Sequence, residues 1–258
     1  MSSSGFETCL AAVSCLRFAC RGGRTALLAS HAELPLVLQR PVRGPAGQAV
    51  VALLTPAGAL FDGDAVHVEI DCESGTDVTL TTASATKLNR CEAGAITFRL
   101  RARVAAGATF HYVPHELIPF RGTRYRQRIE LDLDAGADAA LLEVVSPGAS
   151  DARFEFDSLE LATTLRVAGR TAVREHFVVT PHSARQLGGY THYGSLLVTQ
   201  PEFPPGGLAR LAPGVLGVSQ LPSSGSVVKM LGSSAQSVRA TLLMALSASE
   251  WLMPLLPP

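Results

Sequence analysis

The sequence predicts a mainly β fold in which strands stack like the coils of a solenoid, with one amphipathic helix at the C-terminal end. Glycines recur at intervals of about thirty residues, a period typical of repeat architectures; they are Gly75, Gly107, Gly136 and Gly169. Apolar and polar residues alternate on both sides of each glycine, which indicates half-buried strands. Stacking such units buries one continuous core. An ordinary antiparallel sandwich is the alternative that gives the same alternation.

Length and composition agree with one domain and exclude several partner classes. The chain has 258 residues, of which 47% are hydrophobic and 17% charged, with a formal net charge of +0. A neutral chain is not drawn electrostatically to nucleic acid or to an anionic membrane. No apolar run reaches the ~20 residues of a membrane span. An odd count of cysteines without a Cys-x-x-Cys pair, and an N-terminus without a basic segment, predict a cytoplasmic protein.

The elements follow in order along the chain. Residues 1–23 are expected to form a leader and a first strand over 11–19, and residues 24–199 the β body. Residues 200–232 form a Pro- and Gly-rich connection and a last pair of strands. The strands predicted outside the repeats are 24–29, 36–40, 49–54, 215–219 and 226–231.

Residues 233–254 are predicted to form the C-terminal helix. Ser233 and Gln236 have the spacing of a capping box. Apolar residues then recur at helical spacing until Pro254 ends the helix; they are Val238, Leu242, Ala245 and Leu246. Burial against the protein itself is favoured over docking on a partner.

The strand ends carry the candidate functional groups. Alignment on the glycines places Thr82, Pro114 and Glu143 at equivalent positions, with His115 and Glu116 immediately beyond Pro114. Equivalent residues of stacked strands lie about 4.8 Å apart. We therefore expect a polar row along the stack, with Glu175 within reach of it.

Three acidic residues, Glu116, Glu143 and Glu175, end otherwise apolar strands. A buried carboxylate is costly unless it is paired or binds a metal. A salt bridge to one of the many arginines is the structural alternative to a metal at each position.

Motifs for other chemistry are weak. The hydroxyl-rich segment 81–87, which ends in Lys87, could cradle an anion but lacks the spacing of a phosphate-binding loop. No serine or cysteine stands in a recognisable nucleophile motif. His111 and His115 would lie about 13 Å apart on a strand, too far to share a metal ion.

Several segments, in order along the chain, resemble the urease accessory protein family UreD, also called UreH. They are the segment ending in Asp62-Gly63-Asp64, Thr81-Thr-Ala-Ser-Ala-Thr-Lys87, Val113-Pro-His-Glu116, and Val227-Val-Lys-Met-Leu-Gly232 with the final helix. The resemblance implies a β-rich fold and no catalytic turnover. It also implies partners, namely apo-urease, the accessory protein UreF and the GTPase UreG.

The family resemblance further implies that nickel passes transiently through the protein to the urease active site, with no tightly bound cofactor. On this basis Asp64, Glu143 and Glu175 are expected to line the nickel path. The remaining strand-end groups are expected to contribute to binding; they are Thr82, Thr86, Lys87, His115 and Glu116.

Three functional hypotheses follow. The first is a nickel-insertion chaperone for urease. The second is a metal-dependent hydrolase built on the glutamates and histidines of the row. The third is a structural scaffold that recruits partners without conducting metal.

Overall fold

A computed structural model describes residues 13–147, 154–184, 187–200, 214–222 and 225–247. Their elements, in chain order, are β1 (Ser14–Arg21), β2 (Arg24–His31), β3 (Val37–Leu38), β4 (Val42–Arg43), β5 (Ala49–Leu54), β6 (Ala65–Cys72), β7 (Asp77–Thr82), β8 (Thr86–Leu88), β9 (Ile96–Val104), β10 (Thr109–Tyr112), β11 (Leu117–Pro119), β12 (Arg124–Leu133), β13 (Asp138–Val145), β14 (Ser158–Val167), β15 (Arg170–Val179), α1 (Pro181–Ala184), β16 (His192–Val198), β17 (Gly214–Gln220), β18 (Ser226–Gly232) and α2 (Ala235–Ser247).

The strands form two facing sheets, and the stacked, solenoid-like architecture is confirmed. One sheet has seven strands in the order β15-β14-β12-β9-β6-β1-β2. The other has eleven, with the main order β17-β18-β16-β13-β10-β7-β5-β3. Strands β6, β9 and β12 run parallel in the first sheet, and β7, β10 and β13 run parallel in the second. This parallel register rules out the antiparallel sandwich.

The turn glycines behave as the repeat predicts. Gly75, Gly107, Gly136 and Gly169 have φ angles of +73°, +72°, +77° and +75°. Glycine adopts this left-handed conformation without the steric cost that a Cβ imposes. At the first three positions the turn carries the chain from one sheet to the other, so each repeat forms one coil of the stack.

The fourth copy differs from the prediction. Strands β14 and β15, which flank Gly169, pair antiparallel within the seven-stranded sheet. This copy is therefore a hairpin and not a fourth coil. Glu175 consequently does not extend the row of the second strands. It lies on the sheet that faces that row.

Two apolar layers follow from the alternation along the strands. The larger core lies between the sheets and includes Phe18, Leu100, Phe110 and Ile129. The second layer lies between the outer face of the eleven-stranded sheet and α2; it contains the four predicted helix positions Val238, Leu242, Ala245 and Leu246. The helix is thus buried against this protein, as predicted.

Several predicted boundaries differ from the observed ones by one to three residues. The prediction 49–54 coincides with β5, while β1 begins and ends later than predicted. The helix cap is one residue later than expected, because Ser234 Oγ accepts the Ser237 N–H at 3.4 Å. The leader, the connection over 201–213 and the helix end over 248–254 lie outside the described residues. Neither described helix has the length and apolar character needed to cross a membrane.

Candidate functional site

A row of register partners crosses the eleven-stranded sheet. Tyr112 of β10 pairs with Leu80 of β7 and with Leu141 of β13. Continuing this register by two residues brings Thr82, Pro114 and Glu143 level, as the glycine alignment predicts. The row then extends through antiparallel strands that the alignment did not include: Glu143 pairs with Ser195, and Ser195 with Lys229.

The alternation of side chains along β13 directs Glu143 into the space between the sheets. Its neighbours Leu142 and Val144 pack in the layer beneath α2, whereas Leu141 and Val145 belong to the core between the sheets. Side chains of a strand point alternately to opposite faces. The carboxylate of Glu143 is therefore placed in an otherwise apolar interior.

The opposite sheet supplies a hydrogen bond to Glu143. Gln127 of β12 donates from Nε2 to Oε1 of Glu143, and Tyr125 donates its hydroxyl to Oε1 of Gln127 at 3.0 Å. Burial raises the pKa of Glu143, while the charge of Lys229 and the bond from Gln127 oppose this rise. The carboxylate is thus held between a protein-supplied donor and a nearby cation.

Lys229 connects the two sheets. Its Nζ donates to Glu175 Oε2 at 2.7 Å, to Ser195 Oγ at 2.8 Å and to the Tyr193 hydroxyl at 2.9 Å. Burial disfavours the charge of Lys229, but its contacts with Tyr193 and Glu175 favour it more, so that its pKa is raised. The Tyr193 ring stacks on Phe177 of β15 at a centroid distance of 4.3 Å. Glu175 therefore forms an ion pair, although with a lysine and not with an arginine.

Two cavities meet these groups from different sides. A cavity of about 140 Å³ between the sheets, which we call the inner cavity, is lined by Thr82, Thr86, His115, Gln127 and Glu143, among mainly apolar neighbours. A second cavity, of about 530 Å³, is lined by Glu175, Tyr193 and Lys229 together with Phe177, Leu187 and Val215. We call the set Gln127, Glu143, Glu175, Tyr193, Ser195 and Lys229 the inter-sheet polar cluster.

Thr82 shapes the inner cavity through its hydroxyl. Its Oγ1 accepts the backbone N–H of His115 at 2.9 Å and donates to the carbonyl oxygen of Ser84 at 2.8 Å. Thr86 supports the same region, because its N–H donates to the carbonyl of Glu116 at 2.8 Å. Both threonines line the cavity, and their binding role stays a prediction.

Arg239 of α2 reaches the same strand ends from outside the sheet. Its Nη1 donates to the carbonyl oxygen of Pro114 at 2.6 Å, and its Nε lies 4.0 Å from Oε1 of Glu116. His115 Nδ1 is 4.0 Å from the other oxygen of Glu116. Burial and the charge of Arg239 lower the pKa of His115, and Glu116 partly offsets this. Glu116 therefore lies at ion-pair distance from Arg239, with the imidazole of His115 beside it.

Other candidates lie away from the cluster. Asp64 closes a turn, since its Oδ2 accepts the N–H of Phe61 at 2.8 Å, and it does not line the inner cavity. Lys87 is exposed. His111 is buried on the opposite face from Phe110 and Tyr112, which belong to the core between the sheets. The histidine and glutamate groups of the hydrolase hypothesis are thus not brought together around His111.

Four members of the inter-sheet polar cluster were missed by the sequence reasoning: Gln127, Tyr193, Ser195 and Lys229. Gln127 had a detectable signal, because it occupies an inward position of β12 between the buried residues Tyr125 and Ile129. Tyr193 and Ser195 lie on β16, where all seven residues are buried and no alternation marks the inward face.

The inter-sheet polar cluster combines carboxylate, hydroxyl, amide and ammonium groups. Carboxylate and hydroxyl oxygens face one another across the sheets, and carboxylates bind divalent ions. Within the ranges that the structure describes, no three His, Cys, Asp or Glu side chains are placed to share one metal ion.

Comparison with known proteins identifies the family. The family model described as UreD urease accessory protein matches residues 11–256. The chain is 34% identical over 187 residues to the urease accessory protein UreD of Deinococcus radiodurans, covering 70% of this chain and 67% of that protein. It is 31% identical over 251 residues to the corresponding protein of Actinomyces naeslundii, covering 92% of each. The chain therefore belongs to the UreD family of urease accessory proteins.

Proposed function

We propose that this chain is a nickel-insertion accessory protein that binds apo-urease, acts with UreF and UreG, and passes nickel through its interior to the urease active site. It works without catalytic turnover and binds nickel only transiently. The observation that carries the proposal is the position of Glu143 and Glu175, which face the space between the sheets and line one cavity each.

The donor set supports transport better than permanent storage. A conduit needs sites that favour entry of an ion but are weak enough to release it. Glu143 and Glu175 offer two carboxylates, and each already has a protein partner in Gln127 or Lys229. An ion would exchange with these partners instead of filling a dedicated cage. Thr82 and Thr86 belong to the inner cavity that leads to Glu143.

Co-expression with a cognate urease operon tests the proposal. The chain is expected to co-purify with urease and UreF, and its deletion should lower both urease activity and urease nickel content. If activity and nickel content are unchanged by deletion, the accessory role is wrong.

Point variants separate passage of the ion from recruitment of partners. Glu143→Ala and Glu175→Ala should leave the purified complex intact while urease activation is lost. Glu69→Ala, which removes a half-exposed carboxylate on the outer face of the seven-stranded sheet, is the matched control. Undiminished activation by the Glu143 and Glu175 variants would favour the scaffold hypothesis.

A further inference from the structure

The ammonium group of Lys229 uses its full hydrogen-bonding capacity. An ammonium has three N–H donors and no acceptor. Glu175, Ser195 and Tyr193 lie 2.7–2.9 Å from Nζ and take one donor each. The Tyr193 ring adds a cation–π contact at 5.6 Å from Nζ to its centroid. Lys229 is therefore held in place by groups from both sheets.

This ammonium also acts on the second carboxylate. Glu143 and Lys229 are both register partners of Ser195, one on each side, and the charge of Lys229 partly offsets the rise that burial causes in the pKa of Glu143. The cluster thus contains two acidic side chains and one basic side chain. A divalent ion arriving between the carboxylates would meet a like charge at close range, which is strongly unfavourable in a partly buried site.

Lys229 has space into which it can move. Its side chain is 35% exposed and lines the cavity of about 530 Å³ beside Glu175. Lysine carries its charge on a flexible four-carbon stem. Rotation of this stem can move the ammonium toward solvent without displacing either sheet.

We propose that the Lys229 ammonium is the resident cation of the Glu143–Glu175 pair, and that a divalent ion occupies the pair only when Lys229 swings into the neighbouring cavity. The inference rests on the proposed passage of nickel and deepens it. It assigns to Lys229 a selective role, because a divalent ion offers the carboxylates more charge than the ammonium does, whereas a monovalent ion does not.

Nickel binding by the purified full-length chain tests this assignment. Lys229→Met keeps the length of the apolar stem and removes the charge, so isothermal titration with NiCl2 should show binding at least about tenfold tighter than in the unmodified chain. Lys229→Arg, which keeps the charge, should bind no tighter than the unmodified chain. Adding Glu175→Gln to Lys229→Met should abolish the gain. Equal nickel affinity of Lys229→Met and the unmodified chain would overturn the proposal.

The unmodified chain provides a second test that needs no variant. Lys87 and Lys229 are the only lysines of the sequence, and Lys87 is exposed. Acetylation by an N-hydroxysuccinimide ester, quantified by peptide mass spectrometry, therefore reports Lys229 with Lys87 as internal reference. Titration with NiCl2 should raise the ratio of Lys229 to Lys87 acetylation severalfold. A ratio that stays constant throughout the titration contradicts displacement of Lys229.

The results of these tests distinguish an error in the Lys229 assignment from an error in the proposed function. If Lys229→Met binds nickel tightly but Glu143→Ala and Glu175→Ala activate urease normally, the lysine assignment stands and the passage of nickel is wrong. If activation depends on both glutamates but removing the Lys229 charge leaves nickel affinity unchanged, the passage stands and the lysine assignment is wrong.

Discussion

Gly194 of β16 lies directly beneath Val238 of α2, with no room for a methyl group between them. A Cβ at position 194 would stand 2.7 Å from Cδ1 of Leu242 and closer still to Cγ1 of Val238. The helix consequently rests on the backbone of the strand that carries Ser195. Strand β16 thus contacts α2 through Gly194 and contributes Ser195 to the inter-sheet polar cluster.

Gly194→Ala should destabilise the protein because the added methyl group overpacks the layer beneath α2. Overpacking of a well-filled core costs about 1–3 kcal/mol. Gly217→Ala on β17 is the matched control, since a Cβ there meets no atom within 4 Å. Urea unfolding followed by circular dichroism measures both. Equal losses in the two variants would show that the contact with Val238 and Leu242 is not the cause.

Thr82→Val should loosen the part of the inner cavity wall that contains His115 and Ser84. The substitution keeps the shape but leaves the His115 N–H and the Ser84 carbonyl without the Thr82 hydroxyl. Because these groups are only part-buried, the cost should lie near the lower end of the about 1–3 kcal/mol that an unpaired buried polar group costs. Hydrogen exchange at the His115 amide should accelerate, and Thr82→Ser should retain protection. Unchanged exchange in Thr82→Val would show that this hydrogen bond does not hold this part of the wall.

Arg239→Met should detach α2 from the strand end that carries Pro114. It removes a hydrogen bond of 2.6 Å between a buried guanidinium and a backbone carbonyl. Hydrogen bonds to charged groups contribute about 1.5–3 kcal/mol. Arg126→Met is the control, because Arg126 forms an exposed ion pair with Glu160 at 3.5 Å, a class worth about 0–1 kcal/mol. Urea denaturation should separate the two variants; similar losses would contradict this prediction.

His111 should make stability fall in mildly acidic solution. Burial lowers its pKa from 6.5 to about 4. Above pH 6.5 the imidazole is neutral in both states, so its contribution to stability is complete. Between pH 6.5 and pH 4 the unfolded chain binds a proton that the folded protein does not, and stability is lost. At pH 5 the loss from this residue is about 2 kcal/mol.

His111→Gln tests the assignment because it removes this titration. The difference in unfolding free energy between pH 7 and pH 5 should shrink by about 2 kcal/mol relative to the unmodified chain. Thr79→Val is the control, since Thr79 is the buried register partner of His111 and does not titrate. An unaltered pH dependence in His111→Gln would place the acid sensitivity elsewhere.

Period and alternation in the sequence were sufficient to predict the stacked architecture. The glycine spacing predicted which residues of β7, β10 and β13 stand level, because parallel strands in register repeat the same alignment at every coil. Apolar spacing likewise predicted which face of α2 is buried. Local pattern could also have marked Gln127, a polar residue at an apolar position of β12.

The rest of the site depends on strand pairing between distant segments, which no local sequence pattern reveals. A Gly-centred turn between two alternating strands is compatible with a coil or a hairpin, and Gly75 and Gly169 illustrate both outcomes at nearly the same φ. Glu175 is therefore assigned to its sheet only by the pairing of β14 with β15. Lys229 meets Glu175 through side chains 54 positions apart in the sequence.

Side-chain alternation along β13 decides which of its residues face the inter-sheet polar cluster. Glu143 faces the interior because it lies between Leu142 and Val144, whose side chains point to the opposite face and contact α2. One residue inserted into β13 ahead of Glu143 would, if the preceding pairing stayed in place, exchange the two faces of all that follows. The carboxylate would then lie beneath the helix and an aliphatic side chain would fill its place. Length changes in this family should therefore be tolerated in the turns and selected against within β13.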